Sequence, residues 1–243
     1  MGNESEVRLA MIISGKGTTM EAIGKACQEH GFLDGLVKPV VVISSREDAG
    51  GIEKAERLHI PVRLVARKDF PKGVSGIRPY GEELLRVLRQ YEPDVVTLNG
   101  CLAQISGEVI RSYEMYNQHP GPRELGGPGM FGRRVHAAAI IFNRLVKRNP
   151  PWTEVIAQRV DSHFDRGAVV KSARVDILPT DTVDTLQVRA LPMEHQVQIN
   201  LLRDVALQSV TEVNRSEPFV NPLNPMEHVV LYVAKEAGKA LYP

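Results

Sequence analysis

Three polar side chains of the kinds that cooperate in acyl transfer occur in two short motifs of this sequence. Asn117 and His119 lie two residues apart, and Asp165 follows far downstream. An amide can donate a hydrogen bond to a developing oxyanion, and an imidazole can carry a proton. A nearby carboxylate can orient the imidazole and raise its protonated fraction. The three residues therefore predict a catalytic group for acyl transfer.

A glycine-rich loop near the N-terminus provides a second chemical signal. It follows an apolar run and precedes a helical pattern, so its free backbone N–H groups and the positive helix end can hold a phosphate. The candidate phosphate ligands are Gly15, Gly17, Thr18 and Thr19. Met20 stands where a dinucleotide-binding loop has its third glycine, which disfavours that class of ligand. A plain strand-to-helix turn is the alternative interpretation.

The elements that must position these groups follow from hydrophobic periodicity. Short apolar runs alternate with amphipathic helical patterns in the first half of the chain, which is typical of βαβ units. The predicted strands are 7–13, 37–43, 62–65 and 95–98, and the predicted helices are 20–28, 51–58 and 81–90. We therefore expect an α/β fold with a doubly wound, mostly parallel sheet and flanking helices. Its ligand crevice should lie at the carboxyl ends of the strands.

The second half of the chain should bring the catalytic group to that edge. A fifth strand at 115–118 directs Asn117 and His119 to one side, because side chains two apart in a strand point the same way. The elements that follow are an irregular loop over 120–132, a helix over 135–146 and two strands at 154–160 and 168–175. Asp165 lies in the connection between these two strands, so we expect it on a turn.

The last part of the chain is predicted to be helical. Pro192 should kink or restart the helix that begins near residue 181. A final helix over 226–241 has Asn224 as its N-cap and Pro225 at its start. The predicted organisation is one domain over 1–215, with a phosphate-binding half at 1–115 and a catalytic half at 116–215, and a C-terminal helical extension over 216–243.

Composition limits the classes of function. The chain has 243 residues, 43% of them hydrophobic, and a formal net charge of +1, so no overall field attracts nucleic acid or an anionic membrane. Cys27 and Cys101 lie in apolar stretches, which indicates buried thiols in a reducing cytoplasm. The polar residues 1–6 precede an apolar run too short for a signal peptide or a membrane span. We expect small-molecule substrates and no nucleic-acid or membrane partner, and a homodimer is compatible with the chain.

The order of these motifs resembles the folate-dependent formyltransferase family from about residue 7 to about residue 202. The matching segments are 13–19, 42–45, 55–61, 93–100, 117–120, 159–167 and 194–195. The family has a Rossmann-like fold, and the branch that the chain most resembles formylates the primary amine of glycinamide ribonucleotide in purine biosynthesis. The resemblance implies 10-formyltetrahydrofolate as co-substrate and no metal.

The same resemblance assigns roles to individual residues. It implies that Asn117, His119 and Asp165 are the catalytic trio, with the amide and a protonated imidazole holding the oxyanion. It also implies that the glycine loop binds the substrate phosphate and that Glu194 contacts the glycinamide part of the substrate. It further implies that the pterin end of the folate is held by the backbone of the segment after the fourth strand and by the loop before the aspartate. The residues concerned are Leu102, Ala103, Gln104, Ile105, Asp161 and Phe164.

Five departures from the family pattern bear on the identity of the formyl acceptor. Gln158 replaces a histidine seven residues before the aspartate, Ala103 replaces an arginine, and the loop Gly121–Gly127 has a different sequence. Pro192 interrupts the helix that presents Glu194, and the tail after residue 212 is longer than in the family. A sugar-nucleotide N-formyltransferase and a formyltetrahydrofolate hydrolase, in which water replaces the amine, therefore stay open as alternatives. A non-catalytic nucleotide-binding module is the alternative from another class.

Overall fold

Seven strands of the described chain form one mostly parallel sheet, and, numbered as they occur along the chain, they lie side by side in the order 3-2-1-4-5-6-7. The computed structural model describes residues 6–243, and the polar stretch 1–5 lies outside them. Within the described part, the chain divides into two compact units. The first consists of the residues up to Gln118, together with Arg159–Ser162 and Gln198–Val210, and the second of the other described residues.

The first unit contains the parallel strands and the helices that cover them. Its strands are β1 (Val7–Ile13), β2 (Val37–Ser44), β3 (Val62–Leu64), β4 (Val95–Leu98) and β5 (Glu114–His119), the last of which ends in the second unit. Its helices are α1 (Thr18–Ala26), α2 (Gly51–Arg57), α3 (Ile77–Tyr91) and α4 (Gly107–Ser112). The predicted doubly wound, mostly parallel sheet is thereby confirmed.

Strand register brings the candidate loops of this unit to one edge of the sheet. Ile12 of β1 lies opposite Ile43 of β2 and Leu98 of β4, and Leu98 in turn lies opposite Asn117 of β5. Because the strands are parallel and end close to this row, the residues that follow them emerge together. The carboxyl edge predicted from the sequence is therefore where the glycine loop and Asn117 lie.

Helix α3 packs against the sheet through an apolar face that its sequence pattern produces. Its buried residues Tyr80, Leu84 and Leu88 recur every four positions, which forms one apolar face in the core that α3 shares with the strands. Burying each such side chain stabilises the fold by roughly 1.5–3 kcal/mol. The helix ends at Glu92, whose φ of 44° is left-handed and whose N–H donates to the Leu88 carbonyl at 2.9 Å.

The second unit consists of an antiparallel strand pair and helices. The strands are β6 (Trp152–Arg159) and β7 (Val169–Asp176), and the helices are α5 (Arg133–Leu145), α6 (Val183–Ala206), whose end lies in the first unit, and α7 (Pro225–Leu241). Helix α7 packs against α5 and buries Ala234 and Gly238. It begins as predicted, because the Asn224 side chain accepts from the Met226 N–H at 3.1 Å.

A side chain on α5 ties that helix to β6. Asn143 is buried, and its amide nitrogen donates to the Trp152 carbonyl at 3.0 Å while its amide oxygen accepts from the Trp152 N–H at 3.1 Å. Arg148, in the connection between the two elements, lies over the rings of Phe142, Trp152 and Phe219. These contacts fix the start of β6, the strand that carries Gln158.

Helix α6 runs through Pro192 without a restart. Of the two outcomes predicted for Pro192, the restart is therefore wrong and the kink stays a prediction. Proline removes the hydrogen bond to the carbonyl four residues earlier, and Val188 at that position is exposed, so water can satisfy the freed oxygen. The loop over 120–132 is irregular, as predicted, and Arg123–Leu125 within it forms one turn of 3-10 helix. No helix within residues 6–243 is both long enough and apolar enough to cross a membrane.

Candidate active site

Strand β5 presents the predicted amide and imidazole. Asn117 is half-buried, and His119 is the last residue of the strand with 2% of its surface exposed. Residues two apart on a strand project to the same side. The sequence prediction that one strand end carries both groups is therefore confirmed.

His119 and Asp165 lie together in the second unit. The distance between His119 Nδ1 and Asp165 Oδ1 is 3.7 Å, and both side chains are buried. This distance suits an ion pair and exceeds a normal hydrogen bond. Asp165 lies on a turn, as predicted, and its φ of 55° is left-handed. A non-glycine residue in this region is uncommon, and such backbone geometry concentrates at functional sites.

Hydrogen bonds from a side chain and from the backbone hold the Asp165 carboxylate. The Gln158 side chain donates from Nε2 to Oδ1 at 2.9 Å, and the Gly127 backbone N–H donates to Oδ2 at 2.9 Å. A buried carboxylate requires such donors, because leaving water without them costs several kcal/mol. The sequence marked Gln158 only as a departure from the family pattern. In the structure its side chain contacts Asp165 directly.

The loop Gly121–Gly127 also restricts Asp165 sterically. A Cβ atom added to Gly126 would lie 2.3 Å from Asp165 Cβ and 2.9 Å from its Cγ. Real Cβ atoms do not approach so closely, so this position requires glycine for close packing. The loop whose sequence departs from the family pattern therefore forms the surface against which the Asp165 carboxylate packs.

Burial keeps the His119 imidazole neutral. The low-polarity surroundings lower the pKa of His119, the Asp165 carboxylate opposes this, and the positive charge of Lys235 adds to the lowering. Proximity of the carboxylate alone predicts a protonated imidazole, but burial outweighs it here. Since Nδ1 faces the carboxylate, the proton of the neutral ring belongs on Nδ1. Nε2, which has no hydrogen-bond partner among residues 6–243, is then free to accept a proton.

A second buried histidine near this pair was not singled out from the sequence. His136 on α5 is fully buried, and burial first and the His119 charge second lower its pKa to about 4. It is therefore neutral at pH 7. No spacing signal marks it, because a single histidine within an amphipathic helical pattern looks like any other position on the buried face.

The glycine loop in the first unit has the geometry predicted for an anion site. Gly17 is the N-cap of α1 with a φ of 64°, and it has no side chain to cap the first N–H groups of the helix. A Cβ at this position would lie 2.6 Å from Gly51 Cα, so both the conformation and the space require glycine. The Gly51 N–H donates to the Gly15 carbonyl at 3.1 Å, which fixes the loop on the start of α2.

The candidate phosphate ligands differ in accessibility. Gly15 is exposed and Thr18 is half-buried, whereas Thr19 is buried with 4% of its surface exposed. Thr18 is therefore the accessible hydroxyl of the pair. The backbone N–H groups in the first turn of α1 lack intrahelical acceptors, as at any helix start, and provide further donors.

The segment 102–105, predicted to hold the pterin, is anchored to the same loop. The Leu102 N–H donates to Ser14 Oγ at 3.0 Å, and Ser14 Oγ lies 2.6 Å from Ser45 Oγ. Leu102 is half exposed and Gln104 is exposed, so both are available to a ligand. Ile105 is buried in the core, where its side chain is not available, and Ala103 packs against that core.

The other predicted residues lie in the second half of the chain. Phe164 exposes 38% of its surface on the turn before Asp165, and Asp161 is exposed. Glu194 on α6 is buried, with 6% of its surface exposed. Among residues 6–243, Asp161, His163 and Asp165 are not part of any group of three side chains that could hold a metal.

Neither cysteine is a reactive thiol. Burial raises the pKa of Cys27 to about 12, and burial also raises the pKa of Cys101. Both thiols stay protonated at neutral pH, and a protonated thiol is a poor nucleophile. Neither cysteine is therefore a candidate nucleophile.

Known proteins share this sequence pattern and fold. The profile of the family described as formyl transferase matches residues 7–202. A chloroplastic phosphoribosylglycinamide formyltransferase from Vigna unguiculata is 31% identical over 225 residues, which are 90% of this chain and 68% of that protein. The solved phosphoribosylglycinamide formyltransferase of Brucella melitensis is 29% identical with a TM-score of 0.68, over 86% of this chain and 100% of that one. The one from Coxiella burnetii, in complex with CHES, is 26% identical with a TM-score of 0.70, over 86% and 91%.

The close packing of Gly126 on Asp165 leads to a first prediction. Gly126→Ala should lower catalytic turnover by about a hundredfold, because the added methyl group displaces the carboxylate by about 1 Å. The matched control is Gly50→Ala, where nothing lies within 4 Å of the added methyl group and φ is −61°. Steady-state kinetics of both variants give the two turnover numbers. A wild-type turnover number in Gly126→Ala contradicts the role of this contact in positioning Asp165.

Proposed function

We propose a specific reaction for this chain, which belongs to the formyl transferase family. It transfers a formyl group from 10-formyltetrahydrofolate to the primary amine of glycinamide ribonucleotide. The observation that carries the proposal is the buried His119–Asp165 pair, with Asp165 held by Gln158 and Gly127. The names of the relatives from Vigna, Brucella and Coxiella support glycinamide ribonucleotide as the acceptor. In this role the enzyme belongs to purine biosynthesis.

The chain's own residues divide the chemistry among them. Asn117 donates a hydrogen bond to the formyl oxygen as it gains negative charge. His119, neutral at rest, accepts at Nε2 the proton that the attacking amine loses when the new C–N bond forms. Asp165 stabilises the resulting imidazolium, whose Nδ1–H faces its carboxylate. The imidazolium then returns a proton to the folate nitrogen as the old C–N bond breaks.

The exposed residues of the segment 102–105 fit a folate. Leu102 offers an apolar side chain that is half exposed, and Gln104 offers a polar one beside it. A flat ring system with polar edges suits such a surface. The folate supplies the formyl group and the departing nitrogen, and this segment would bind and orient its pterin end. Asp161 and Phe164 keep the same proposed role.

The phosphate of the acceptor belongs at the glycine loop. Gly15, Gly17 and Thr18 surround the start of α1, where backbone N–H groups and the helix dipole favour an anion. A net charge of only +1 means that such an anion is attracted locally and not by the whole protein. Glu194 is the proposed partner of the glycinamide amine, because a carboxylate can bind an ammonium group.

The same proposal covers domain extent, compartment and partners. The catalytic domain ends near residue 215. The enzyme works in a reducing cytoplasm on small molecules without nucleic acid or membrane, and the chain is compatible with a homodimer. The two cysteines are free, which suits a reducing compartment. Exposed apolar residues on α7, among them Val229, Tyr232 and Val233, support self-association.

A direct assay tests the reaction. The protein is mixed with 10-formyltetrahydrofolate and glycinamide ribonucleotide, and deformylated folate is followed by its absorbance. We expect rapid product formation that needs the acceptor and that His119→Ala reduces by at least about a thousandfold, as loss of a central acid–base group does.

The same assay separates the alternatives. Product without any acceptor indicates the hydrolase, and product only with an amino sugar nucleotide indicates the sugar-nucleotide enzyme. No product with any of these acceptors contradicts catalysis and leaves a binding module.

The phosphate loop has its own test. Thr18→Glu should raise KM for glycinamide ribonucleotide by about tenfold or more, because the introduced carboxylate repels the phosphate. The turnover number at saturating acceptor should change little. Thr18→Ser keeps the hydroxyl group and serves as the control. An unchanged KM in Thr18→Glu means that the phosphate binds elsewhere.

A further inference from the structure

Two cations from the end of the chain bind the loop beside Asp165. Lys235 on α7 donates from Nζ to the Gly126 carbonyl in a short hydrogen bond and to the Glu124 carbonyl at 3.4 Å. Arg215 binds both carboxylate oxygens of Glu124 at 2.8 Å. Both cations follow residue 202, where the match to the family profile ends. The features shared with the family therefore do not account for these contacts.

One peptide group connects Lys235 to Asp165. The carbonyl of Gly126 accepts from Lys235, and the N–H of the same peptide group, which belongs to Gly127, donates to Asp165 Oδ2 at 2.9 Å. A cation on the carbonyl oxygen polarises the peptide group and strengthens its N–H as a donor. It also prevents the peptide plane from rotating, so the N–H keeps its direction toward the carboxylate.

We propose that Lys235 is a positioning residue that acts through the Gly126–Gly127 peptide group and holds Asp165 toward His119. It touches neither the substrate nor the reacting atoms. The proposal rests on the proposed function for its kinetic readout, and it gives α7, for which the sequence indicated no role, a part in catalysis. Arg215 supports the same loop from the side chain of Glu124.

The charge of Lys235 affects the pKa of His119, which a side chain that only packs in the fold would not do. Lys235 is half-buried, and burial, Arg166 and Lys239 lower its pKa while Asp165 opposes this. Its charge in turn contributes to the lowered pKa of His119. Among residues 6–243, the charged or titratable groups that interact electrostatically with His119 are Asp165, Lys235 and His136. Removing the Lys235 charge should therefore raise the pKa of His119.

The test compares three variants of the full chain. Lys235→Met removes the charge at similar length, Lys235→Arg retains it, and Lys239→Met is the matched control one turn further along α7. Lys239 is paired with Glu236 at 2.8 Å. We expect Lys235→Met to lower kcat about tenfold or more with KM for the acceptor changed less than about twofold. Lys235→Arg should recover most of kcat, and Lys239→Met should match the wild type.

Two further measurements accompany the kinetics. The acid limb of kcat/KM should move to higher pH in Lys235→Met, because the pKa of His119 rises when the cation is lost. Amide hydrogen exchange at Gly127 should be faster in Lys235→Met than in Lys239→Met, because the peptide group loses its anchor. The exchange rate is independent of any substrate.

The outcomes distinguish this proposal from the proposed function. An inactive wild type defeats the proposed function, and exchange at Gly127 still tests the anchoring. An active wild type with normal kcat in Lys235→Met overturns the positioning role while the function stands. Equal exchange at Gly127 in both methionine variants overturns it as well. Equal losses of kcat in Lys235→Met and Lys239→Met indicate general destabilisation of α7 and also contradict it.

Discussion

The anchored carboxylate of Asp165 is the interaction on which the candidate site depends. A buried carboxylate needs donors, and here the end of β6 supplies Gln158 while the loop after β5 supplies the Gly127 N–H. The left-handed backbone of Asp165 and its close contact with Gly126 leave the side chain little freedom. His119, at the end of β5, is the group that the carboxylate then faces at 3.7 Å. The facing carboxylate determines which ring nitrogen of His119 carries the proton, and burial keeps the ring neutral.

Burial lowers the pKa of His119 and the Asp165 carboxylate raises it, and the effect of burial is the larger. A neutral imidazole with its proton toward Asp165 can begin as a base and continue as an acid, which transfer between two nitrogens requires. A histidine protonated at rest could not accept the proton of the attacking amine. The cation of Lys235 adds to this effect, because a neighbouring positive charge disfavours a second one on the imidazole.

The sequence predicts the positions of the main groups because local rules determine them. Asn117 and His119 end a strand of short apolar pattern, Asp165 lies between two strands, and Gly17 joins a strand to a helix. Other features depend on contacts that no spacing reveals. Lys235 reaches Gly126 across 109 positions of the chain, and the neutrality of His119 follows from packing around it. Pro192 remains inside α6 because it lies on an exposed face, which a helical pattern alone does not establish.

The protonation state of His119 is the most direct test of this account. Nitrogen NMR of the ¹⁵N-labelled protein, with His119 assigned by comparison with His119→Asn, reports both the charge and the tautomer of the ring. Because burial lowers the pKa, neutral imidazole must persist as the pH falls to and below the ordinary 6.5. We expect a neutral His119 ring at pH 7, with its proton on Nδ1 and a titration midpoint below 6.5. An imidazolium at pH 7, with a midpoint above 7, contradicts it.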